Sequence, residues 1–358
     1  MKKINVLMIG SDLSVKGGMT TVVENFLSNN FEDRINISYI PTHIEKNNLI
    51  KQIYFLKSLI KIYYYLLFKN IDLVHVHMSE RGSFHRKYLV FKLSKLLNKK
   101  VIVHMHGAEF KEFFEESSDN LKKKIIYFLR EANLVLVLGD SWNDYVLSLD
   151  KDIKIKILRN SIQIRTEVVK RNKNNINVLF LAVLIERKGI IDLIEAVNLL
   201  EKEKRMENYN IKYIVAGSGQ EEKRCKELVL KYKLEKYFDF KGWVSGEEKQ
   251  CLLKQSQIFV LPSYNEGLPM AILEAMSYGI PVISTNVGSI EDAVKDNVNG
   301  FIVNPGDIKK LASSIEECVK NEILWNKFSK KNKDDIENKY SNKIYFDNIE
   351  KIYCNLIR

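Results

Sequence analysis

Short apolar segments alternate with helical patterns along the whole 358-residue chain. The segments are continuously apolar, which is typical of parallel strands that helices cover on both faces. Six such strands are predicted at residues 4–10, 35–40, 71–77, 101–106, 134–139 and 153–158. Six more are predicted at residues 177–182, 212–217, 237–242, 258–262, 281–285 and 301–303. This alternation predicts an α/β fold built from two doubly wound, Rossmann-like parallel sheets.

A charged, Asn-rich stretch at residues 170–175 interrupts the alternation and is predicted to link two domains. The expected domains are residues 1–168 and 169–340, each of ordinary size for a single domain. Residues 341–358 are predicted to form a C-terminal helix that packs back on the first domain. The expected architecture is two doubly wound domains that face each other across a cleft.

Positive charge is concentrated in the first half of the chain. Residues 46–100 contain 12 Lys+Arg and 2 Asp+Glu, whereas residues 166–358 contain 30 and 28. This excess predicts an anionic partner, and no nucleic-acid-binding motif accompanies it. A predicted helix at residues 49–69 combines aromatic residues with lysines, which favours an anionic membrane surface; a solvated helix face is the alternative. The lysines are Lys51, Lys57, Lys61 and Lys69.

Metal and disulfide chemistry are not predicted. The four cysteines form no CxxC pair, and free thiols suit a reducing cytoplasm. His75, His77, His104 and His106 offer imidazoles to a metal, but no carboxylate or cysteine completes the set. The DxD-like stretch at residues 150–152 precedes a predicted strand rather than following one, so a solvated turn is favoured over a metal site.

Ligands of open parallel sheets bind outside the carboxyl ends of the strands, so the loops there are the candidate sites. After the first strand, Gly17 and Gly18 open a helix whose free N–H groups can receive an anion; a flexible turn is the alternative. His106 ends the fourth strand just before Gly107, which makes it a catalytic candidate as well as a candidate core histidine.

Three loops of the second half carry the remaining candidates. Arg187 and Lys188 begin a helix, where cations oppose the helix dipole unless a phosphate binds; solvated surface charge is the alternative. The turn at residues 217–219 matches half of a dinucleotide fingerprint, through Gly217 and Gly219.

The most informative loop precedes the helix that Pro269 begins. Glu266 lies in this loop, and Glu274 lies on the largely apolar helix, where it needs a hydroxyl or cation partner. Two carboxylates with N–H donors between them fit a sugar nucleotide.

Glu266 and Glu274 form an E-x7-E pattern, and residues 266–291 resemble the signature of the family 4 retaining glycosyltransferases. The similarity extends in order through Gly17-Gly18, His106-Gly107, Lys188-Gly189 and residues 217–219. It implies the GT-B fold, with the acceptor held mainly by the N-terminal domain and the nucleotide by the C-terminal domain.

The resemblance also implies residue roles. Glu266 would contact donor-sugar hydroxyls, Glu274 the ribose and Lys188 the pyrophosphate, while Gly18 and His106 would face the donor across the cleft. The catalytic residues implied are His106, Lys188 and Glu266. The donor-binding residues implied are Gly17, Gly18, Arg187, Lys188, Gly217, Gly219, Glu266, Gly267, Leu268, Pro269, Met270 and Glu274. The family usually has a second phosphate-binding Arg where this chain has Val183, and Arg187 is the nearest substitute.

The expected function is metal-independent, retaining transfer of a hexose or N-acetylhexosamine from a nucleotide-diphosphate sugar, with a UDP-sugar favoured as co-substrate and no cofactor. The expected acceptor is a saccharide, polyprenyl-linked, used in capsule or O-antigen synthesis at the cytoplasmic face of the cell membrane. The alternatives are a nucleotide-sugar epimerase of the same fold and a membrane-peripheral nucleotide-sugar-binding protein without turnover. The oligomeric state is not predicted.

Overall fold

The computed structural model describes residues 3–32, 34–172 and 174–358, which form two compact units. The first unit comprises Met1–Ser161 and Asn342–Arg358, and the second comprises Ile162–Ser341. The first unit begins with β1 (Ile4–Gly10), α1 (Gly18–Ser28), β2 (Ile35–Pro41), α2 (Asn48–Phe68), β3 (Leu73–Met78) and α3 (Gly82–Leu96). It continues with β4 (Lys100–Met105), α4 (Phe110–Glu115), α5 (Asp119–Glu131), β5 (Leu134–Val137), α6 (Asp140–Leu149) and β6 (Ile155–Ile157).

The sheet of the first unit is parallel, with the strand order β2-β1-β3-β4-β5-β6 among the described residues. β1 therefore has β2 on one side and β3 on the other, and the order of the chain reverses at β1 and β3. β3 and β4 are buried along nearly their whole length because helices cover both faces. The carboxyl ends of β1 and β3 therefore border the switch point of this sheet, where ligands of such sheets bind.

The second unit begins with β7 (Ile176–Leu181), a 3-10 turn (Glu186–Lys188), α7 (Ile190–Lys202), β8 (Ile211–Ala216), α8 (Glu222–Lys231), β9 (Phe238–Gly242) and α9 (Gly246–Gln255). It continues with β10 (Ile258–Leu261), α10 (Met270–Ser277), β11 (Val282–Thr285), α11 (Ile290–Ala293), β12 (Gly300–Val303), α12 (Ile308–Lys320) and α13 (Glu322–Lys339). Its parallel strands follow the order β12-β11-β10-β7-β8-β9, so the chain order reverses between β7 and β10. The predicted fold class, two doubly wound parallel sheets, is confirmed.

The two units divide at Ser161 rather than at the predicted residue 168. The Ile162 amide donates to the Tyr340 carbonyl at 2.8 Å, and the Val169 amide donates to the Tyr278 carbonyl at 2.9 Å. Val169 is also buried against the second unit. These contacts hold the segment after Ser161 on the second unit because its few apolar residues find partners there.

The predicted linker at residues 170–175 is likewise part of the second unit, apart from Lys173, which lies outside the described residues. Arg171 donates to the Val319 carbonyl and forms an ion pair with Glu322 at 3.6 Å. The charge that suggested a solvated linker is instead paired at the junction of α12 and α13.

The last helix, α14 (Asn342–Ile357), belongs to the first unit. Its buried face repeats every three or four residues, and the Phe346 ring packs edge-on against Phe26 of α1 with centroids 5.3 Å apart. Tyr353 of α14 is buried and hydrogen-bonds to His75 of β3. The end of the chain therefore covers one face of the first sheet.

Among the described residues, no helix combines the length and the apolar character that crossing a bilayer requires.

Candidate active site

Two loops meet at the carboxyl edge of the second sheet because β7 and β10 are neighbours. The loop after β7 carries Arg187 and Lys188, and the loop after β10 carries Glu266. The Tyr264 amide donates to the Arg187 carbonyl at 2.7 Å, and Arg187 Nη1 donates to the Asn265 carbonyl at 3.1 Å. These hydrogen bonds join the two loops into one surface.

Gly189 permits the close approach of these loops. Its φ angle is +70°, and a Cβ at this position would lie 1.9 Å from the Pro262 carbonyl oxygen. A side chain there would both strain the backbone and push the loops apart. The glycine after Lys188 therefore fixes the position of the lysine relative to the loop that carries Glu266.

Lys188 and Glu266 form an ion pair, with Nζ 2.5 Å from Oε1. Their side chains are 15% and 6% exposed, so the pair is largely removed from water. The Ser263 hydroxyl donates to the same Oε1 at 2.9 Å, which satisfies the carboxylate further. The structure thus brings together two of the three residues predicted to be catalytic, a cation and a carboxylate at the sheet edge.

The segment after Glu266 ends at the N-terminus of α10. Gly288, at φ +56°, lies so close to this segment that a Cβ would be 1.9 Å from the Glu266 carbonyl oxygen. The Ser289 amide donates to the Gly267 carbonyl at 2.8 Å. Pro269 precedes α10 with a φ of −64°, and no described side chain caps the helix. The first N–H groups of α10 have no acceptor within the helix, so this end attracts anions.

Leu268 and Met270 are buried in the core of the second unit. Their side chains therefore face the interior, and their predicted donor-binding role would fall to backbone groups. The apolar side chains anchor the loop, and the loop positions Glu266.

Glu274 is buried on α10, and Lys249 of α9 provides its cation partner, with Nζ 2.6 Å from Oε1. Glu274 was predicted to need a hydroxyl or cation partner, and Lys249 is that partner, although Lys249 was not among the predicted site residues. The sequence does not indicate this pairing, because Lys249 is one of many lysines and lies on a different helix from Glu274. A cavity of about 140 Å³ borders this pair, lined by Ile162, Arg165, Gly246, Lys249, Gln250, Leu253, Glu274, Ser277 and Tyr278.

Gly217 and Gly219 lie in the loop after β8, which packs on the loop after β7. The Leu184 amide donates to the Ser218 carbonyl and the Glu221 amide to the Leu184 carbonyl, both at 3.0 Å. This packing places the two glycines beside the loop that carries Arg187 and Lys188. Arg187 directs one guanidinium nitrogen at the Asn265 carbonyl, as described above.

In the first unit, Gly17 and Gly18 are exposed at the N-terminus of α1. The loop before them is shaped by the Thr20 hydroxyl, which donates to the Val15 carbonyl at 2.7 Å. No heavy atom lies within 4 Å of a Cβ built on Gly17, so this helix end is open among the described residues. Its N–H groups can receive an anion.

His106 lies at the end of a stack of imidazole rings on one face of β3 and β4. His77 and His106 stack with centroids 5.1 Å apart, and His77 Nδ1 lies 2.9 Å from His106 Nε2. Burial lowers the pKa of His106 to about 3, so its imidazole is neutral at physiological pH.

The hydrogen-bond network assigns the proton positions of this histidine pair. His77 Nε2 is buried without a hydrogen-bond partner among the described residues. A proton there would be a buried, unsatisfied donor, which is costlier than an unused acceptor. The proton of His77 is therefore on Nδ1 and is donated to His106 Nε2, which leaves the N–H of His106 on Nδ1.

The geometry of the histidine stack does not fit a metal site. The nitrogen atoms of His75, His77 and His104 lie within 4.8 Å of one another. However, the rings of His75 and His77 are stacked 4.6 Å apart at an interplanar angle of 10°. Their lone pairs therefore lie in nearly parallel planes, whereas tetrahedral ligands converge on one point. His75 also uses both ring nitrogens in hydrogen bonds, to Tyr353 and His104.

The DxD-like stretch forms a local turn. The Asp152 amide donates to Asp150 Oδ1 at 2.9 Å, and Asp150 pairs with Arg130 at 3.6 Å. Lys151 and Asp152 are exposed in this turn, whereas the Asp150 side chain is only 17% exposed.

The chain matches the family model described as glycosyl transferases group 1 over residues 161–335. It is 25% identical over 359 residues to the Escherichia coli UDP-Gal:alpha-D-GlcNAc-diphosphoundecaprenol alpha-1,3-galactosyltransferase, covering 92% of this chain and 87% of that protein. It is 26% identical over 242 residues to the Staphylococcus aureus capsular polysaccharide biosynthesis glycosyltransferase CapM, covering 67% and 61%.

A solved structure of Anabaena HepE in complex with UDP-glucose superimposes with a TM-score of 0.79 at 17% identity, covering 98% of this chain and 100% of that one. At this level of identity the likeness concerns the fold.

Proposed function

We propose that the chain is a group 1 glycosyl transferase, of the family 4 type that its E-x7-E pattern resembles. We propose further that it transfers a hexosyl group from a UDP-sugar to a lipid-linked saccharide in cell-surface polysaccharide synthesis. Glycosyltransferase activity and the GT-B fold are properties of the family. The choice of donor is supported by relatives whose names or bound ligands contain UDP. The choice of acceptor is supported by the diphosphoundecaprenol in the name of one relative.

The Lys188–Glu266 pair beside the open end of α10 carries the donor part of this proposal. A diphosphate bound here would accept hydrogen bonds from the α10 N–H groups and from Lys188. Glu266, released from the lysine, would accept hydrogen bonds from hydroxyls of the donor sugar. Glu274 with Lys249 would bind the ribose, and the backbone at residues 267–270 would bind the phosphate.

The proposed reaction retains the configuration of the sugar and needs no metal. As the sugar–phosphate bond breaks, negative charge grows on the leaving phosphate and positive charge on the sugar ring. Lys188 and the α10 N–H groups stabilise the phosphate. The leaving phosphate then takes the proton of the acceptor hydroxyl. Glu266 contributes by orienting the sugar, and a double displacement through Glu266 is the alternative mechanism.

The α2 helix supports attachment to a membrane surface. Leu49, Leu56 and Ile60 are between 60% and 68% exposed, and Ile53 and Leu67 are exposed as well. At 100° per residue these five side chains fall within about 40° of one line along the helix, so they form an exposed apolar stripe. The opposite side of α2 carries its buried residues Ser58, Ile62 and Leu66.

The four lysines predicted to face the membrane do not share one side of α2. Lys57 and Lys61 are exposed on the flank of α2, about 40° and about 80° beyond the edge of the apolar stripe. Lys51 is half-buried and, like Lys69, projects on the opposite side of the helix. We propose that the stripe and the two flanking lysines contact anionic lipid at the inner face of the cell membrane, where a peripheral enzyme meets both cytoplasmic donor and lipid-linked acceptor.

Incubation of the full chain with several nucleotide sugars, with and without a membrane extract, tests the proposal. Acceptor-dependent release of UDP together with sugar incorporation into lipid is the expected result. Isomerisation of the donor without an acceptor would favour the epimerase. Tight donor binding without turnover under all conditions would favour a binding protein. The anomeric configuration of the product, measured by NMR, tests retention.

A further inference from the structure

A group of basic side chains at the carboxyl ends of β1 and β2 lies outside the proposed donor site. We call it the cation cluster; its members are His43, Lys51, Arg86 and Lys87. His43 follows β2, Lys51 lies in the first turns of α2, and the other two lie on α3. Burial, and then the charges of Arg86, Lys51 and Lys87, lower the pKa of His43 to about 4. Lys87 donates to the hydroxyl of Thr42, the residue before His43, and Arg86 directly precedes Lys87, so the loop after β2 and the start of α3 bring these residues together.

Lys87 lies at the base of the cluster and is completely buried. Its Nζ donates to the Thr42 hydroxyl at 2.6 Å and lies 3.4 Å from the Gly10 carbonyl oxygen. These partners are neutral, and burial with the charge of Arg86 lowers the pKa of Lys87 to about 7. Lys87 thus joins the loops after β1 and β2, and an anion bound beside it would favour its protonated form.

Arg86 and His43 line the more accessible side of the cluster, where both are half-buried. The Nε of Arg86 and the Nδ1 of His43 are buried and have no hydrogen-bond partner among the described residues. A desolvated guanidinium without an acceptor is costly, and protein sites of this kind are completed by a carboxylate or a phosphate.

The carboxylate on the neighbouring loop does not complete the site. Asp12 Oδ1 accepts from the amide and hydroxyl of Ser14 at 3.0 and 2.7 Å, and Oδ2 accepts from the Tyr54 hydroxyl at 2.9 Å. Both oxygens of Asp12 are therefore directed at neutral donors rather than at the cation cluster.

We propose that the cation cluster binds the diphosphate that links the acceptor saccharide to its lipid. This inference rests on the proposed function for the identity of the acceptor. The α2 helix carries Lys51 near its N-terminus and the exposed apolar stripe along its length. Lys51 and the stripe lie on opposite sides of α2, so the lipid chain of a diphosphate bound in the cluster would pass around the helix, a distance of about 10–12 Å, to reach the surface proposed to contact the membrane.

The same phosphate chemistry is offered by the headgroup of an anionic phospholipid. The two sources are distinguished by what a substitution in the cluster changes. If the cluster binds the acceptor, the KM for the acceptor changes; if it binds a headgroup, only attachment to vesicles changes.

The first experiment titrates inorganic diphosphate into the full chain by calorimetry, in a Lys188→Ala background that removes the proposed donor phosphate site. Arg86→Gln is compared with Lys92→Gln, which removes one charge from an exposed position on the same helix. We expect Arg86→Gln to weaken binding by about tenfold or more, since it removes a charged hydrogen bond to phosphate. Equal affinities for both variants would overturn the site.

Folding of the Arg86→Gln variant is checked by its thermal unfolding temperature without added anion. It should not fall below that of the parent, because Arg86 Nε has no hydrogen-bond partner among the described residues that the substitution would remove. The titration needs no transfer activity, so it tests the cation cluster even if the proposed function fails.

The second experiment measures steady-state kinetics with a diphospholipid-linked saccharide as acceptor. Arg86→Gln should raise the KM for this acceptor by about tenfold and leave both the KM for the donor and the rate of donor hydrolysis unchanged. An unchanged acceptor KM, with binding to anionic vesicles weakened instead, would overturn the acceptor assignment in favour of a lipid headgroup.

Discussion

Lys188 Nζ lies 2.5 Å from Glu266 Oε1 at the carboxyl edge of the second sheet, where the chain order reverses between β7 and β10. The cation proposed for the donor phosphate is thus neutralised by the carboxylate proposed for the donor sugar. A bound donor would separate the pair, giving Lys188 a phosphate partner and Glu266 hydroxyl partners. Both groups are then held in place without an uncompensated buried charge before the donor arrives.

The two glutamates of the E-x7-E pattern are expected to affect different kinetic constants. Glu266→Gln should lower kcat by about tenfold to a hundredfold, because the carboxylate acts where charge develops. Glu274→Gln should mainly raise the KM for the donor by about tenfold, because it removes a hydrogen bond made equally in the ground state. Glu227→Gln, on the exposed face of α8, is the control. Equal effects of both variants on donor KM alone would contradict this division.

Lys188 and Arg187 are adjacent in sequence but differ in their expected importance. Lys188→Gln should reduce kcat/KM for the donor by about a hundredfold or more, because Lys188 is proposed to stabilise the charge that develops on the leaving phosphate. Arg187→Gln should have a smaller effect, because its guanidinium donates to the Asn265 carbonyl and supports the loop. Steady-state kinetics with varied donor checks this order. A larger loss for Arg187→Gln would instead identify it as the substitute for the Arg usually found at the position of Val183.

Transfer activity is expected to persist in EDTA, because Lys188 and the α10 N–H groups are proposed to supply the charge that a metal supplies in other enzymes. The measurement is turnover after dialysis against chelator. Loss of turnover that manganese or magnesium restores would contradict the proposal and would direct attention to Asp150 and Asp152.

The alternation of strands and helices could be predicted because each strand is a continuous apolar run followed by a helical pattern, whereas the order of the strands within each sheet was not predicted. The position of Glu266 at the sheet edge follows from the same logic. The Lys249–Glu274 and Arg171–Glu322 pairs could not be predicted, since each joins residues distant in sequence on separate helices. The domain boundary differs from the predicted one because backbone hydrogen bonds and the buried Val169 hold the segment after Ser161 on the second unit.

The sides of α2 on which its lysines lie are a second feature that was not predicted from the sequence. Composition predicts a basic, aromatic helix, but it does not show that its four lysines lie on different sides of that helix. The orientation of the helix, set by burial of Ile62 and Leu66, separates Lys51 from Lys57 and Lys61. Only the packed structure shows that the charge of Lys51 contributes to lowering the pKa of His43.

Stability should decrease as the pH falls below about 6.5. Burial lowers the pKa of His75 and His106 to about 3 and of His77 and His104 well below the usual value. The unfolded chain therefore binds more protons than the native one between pH 6.5 and about 3. Each such histidine lowers the free energy of unfolding by up to about 1.4 kcal/mol per pH unit in that range.

Urea unfolding at pH 7, 6 and 5, followed by circular dichroism, measures this slope. His77→Asn should reduce the slope, whereas His85→Gln, at an exposed position on α3, should leave it unchanged. A free energy of unfolding that is constant from pH 7 to pH 5 would show that the imidazole stack accepts protons in the native state.

Attachment of α2 to vesicles should depend on both its apolar stripe and its two flanking lysines. Near an anionic surface each lysine contributes about 1 kcal/mol, so Lys57→Gln with Lys61→Gln should weaken binding by roughly thirtyfold. Leu56→Ser with Ile60→Ser should weaken it by at least about tenfold, because two exposed apolar side chains no longer enter the interface.

Co-sedimentation with vesicles containing anionic lipid measures both effects, with Lys122→Gln and Lys123→Gln on α5 as a charge-matched control. Raised salt should weaken binding of the parent and of the apolar variant but have less effect on the lysine variant, whose remaining attraction is apolar. If all three variants sediment like the parent, α2 is a solvated helix and does not contact the membrane.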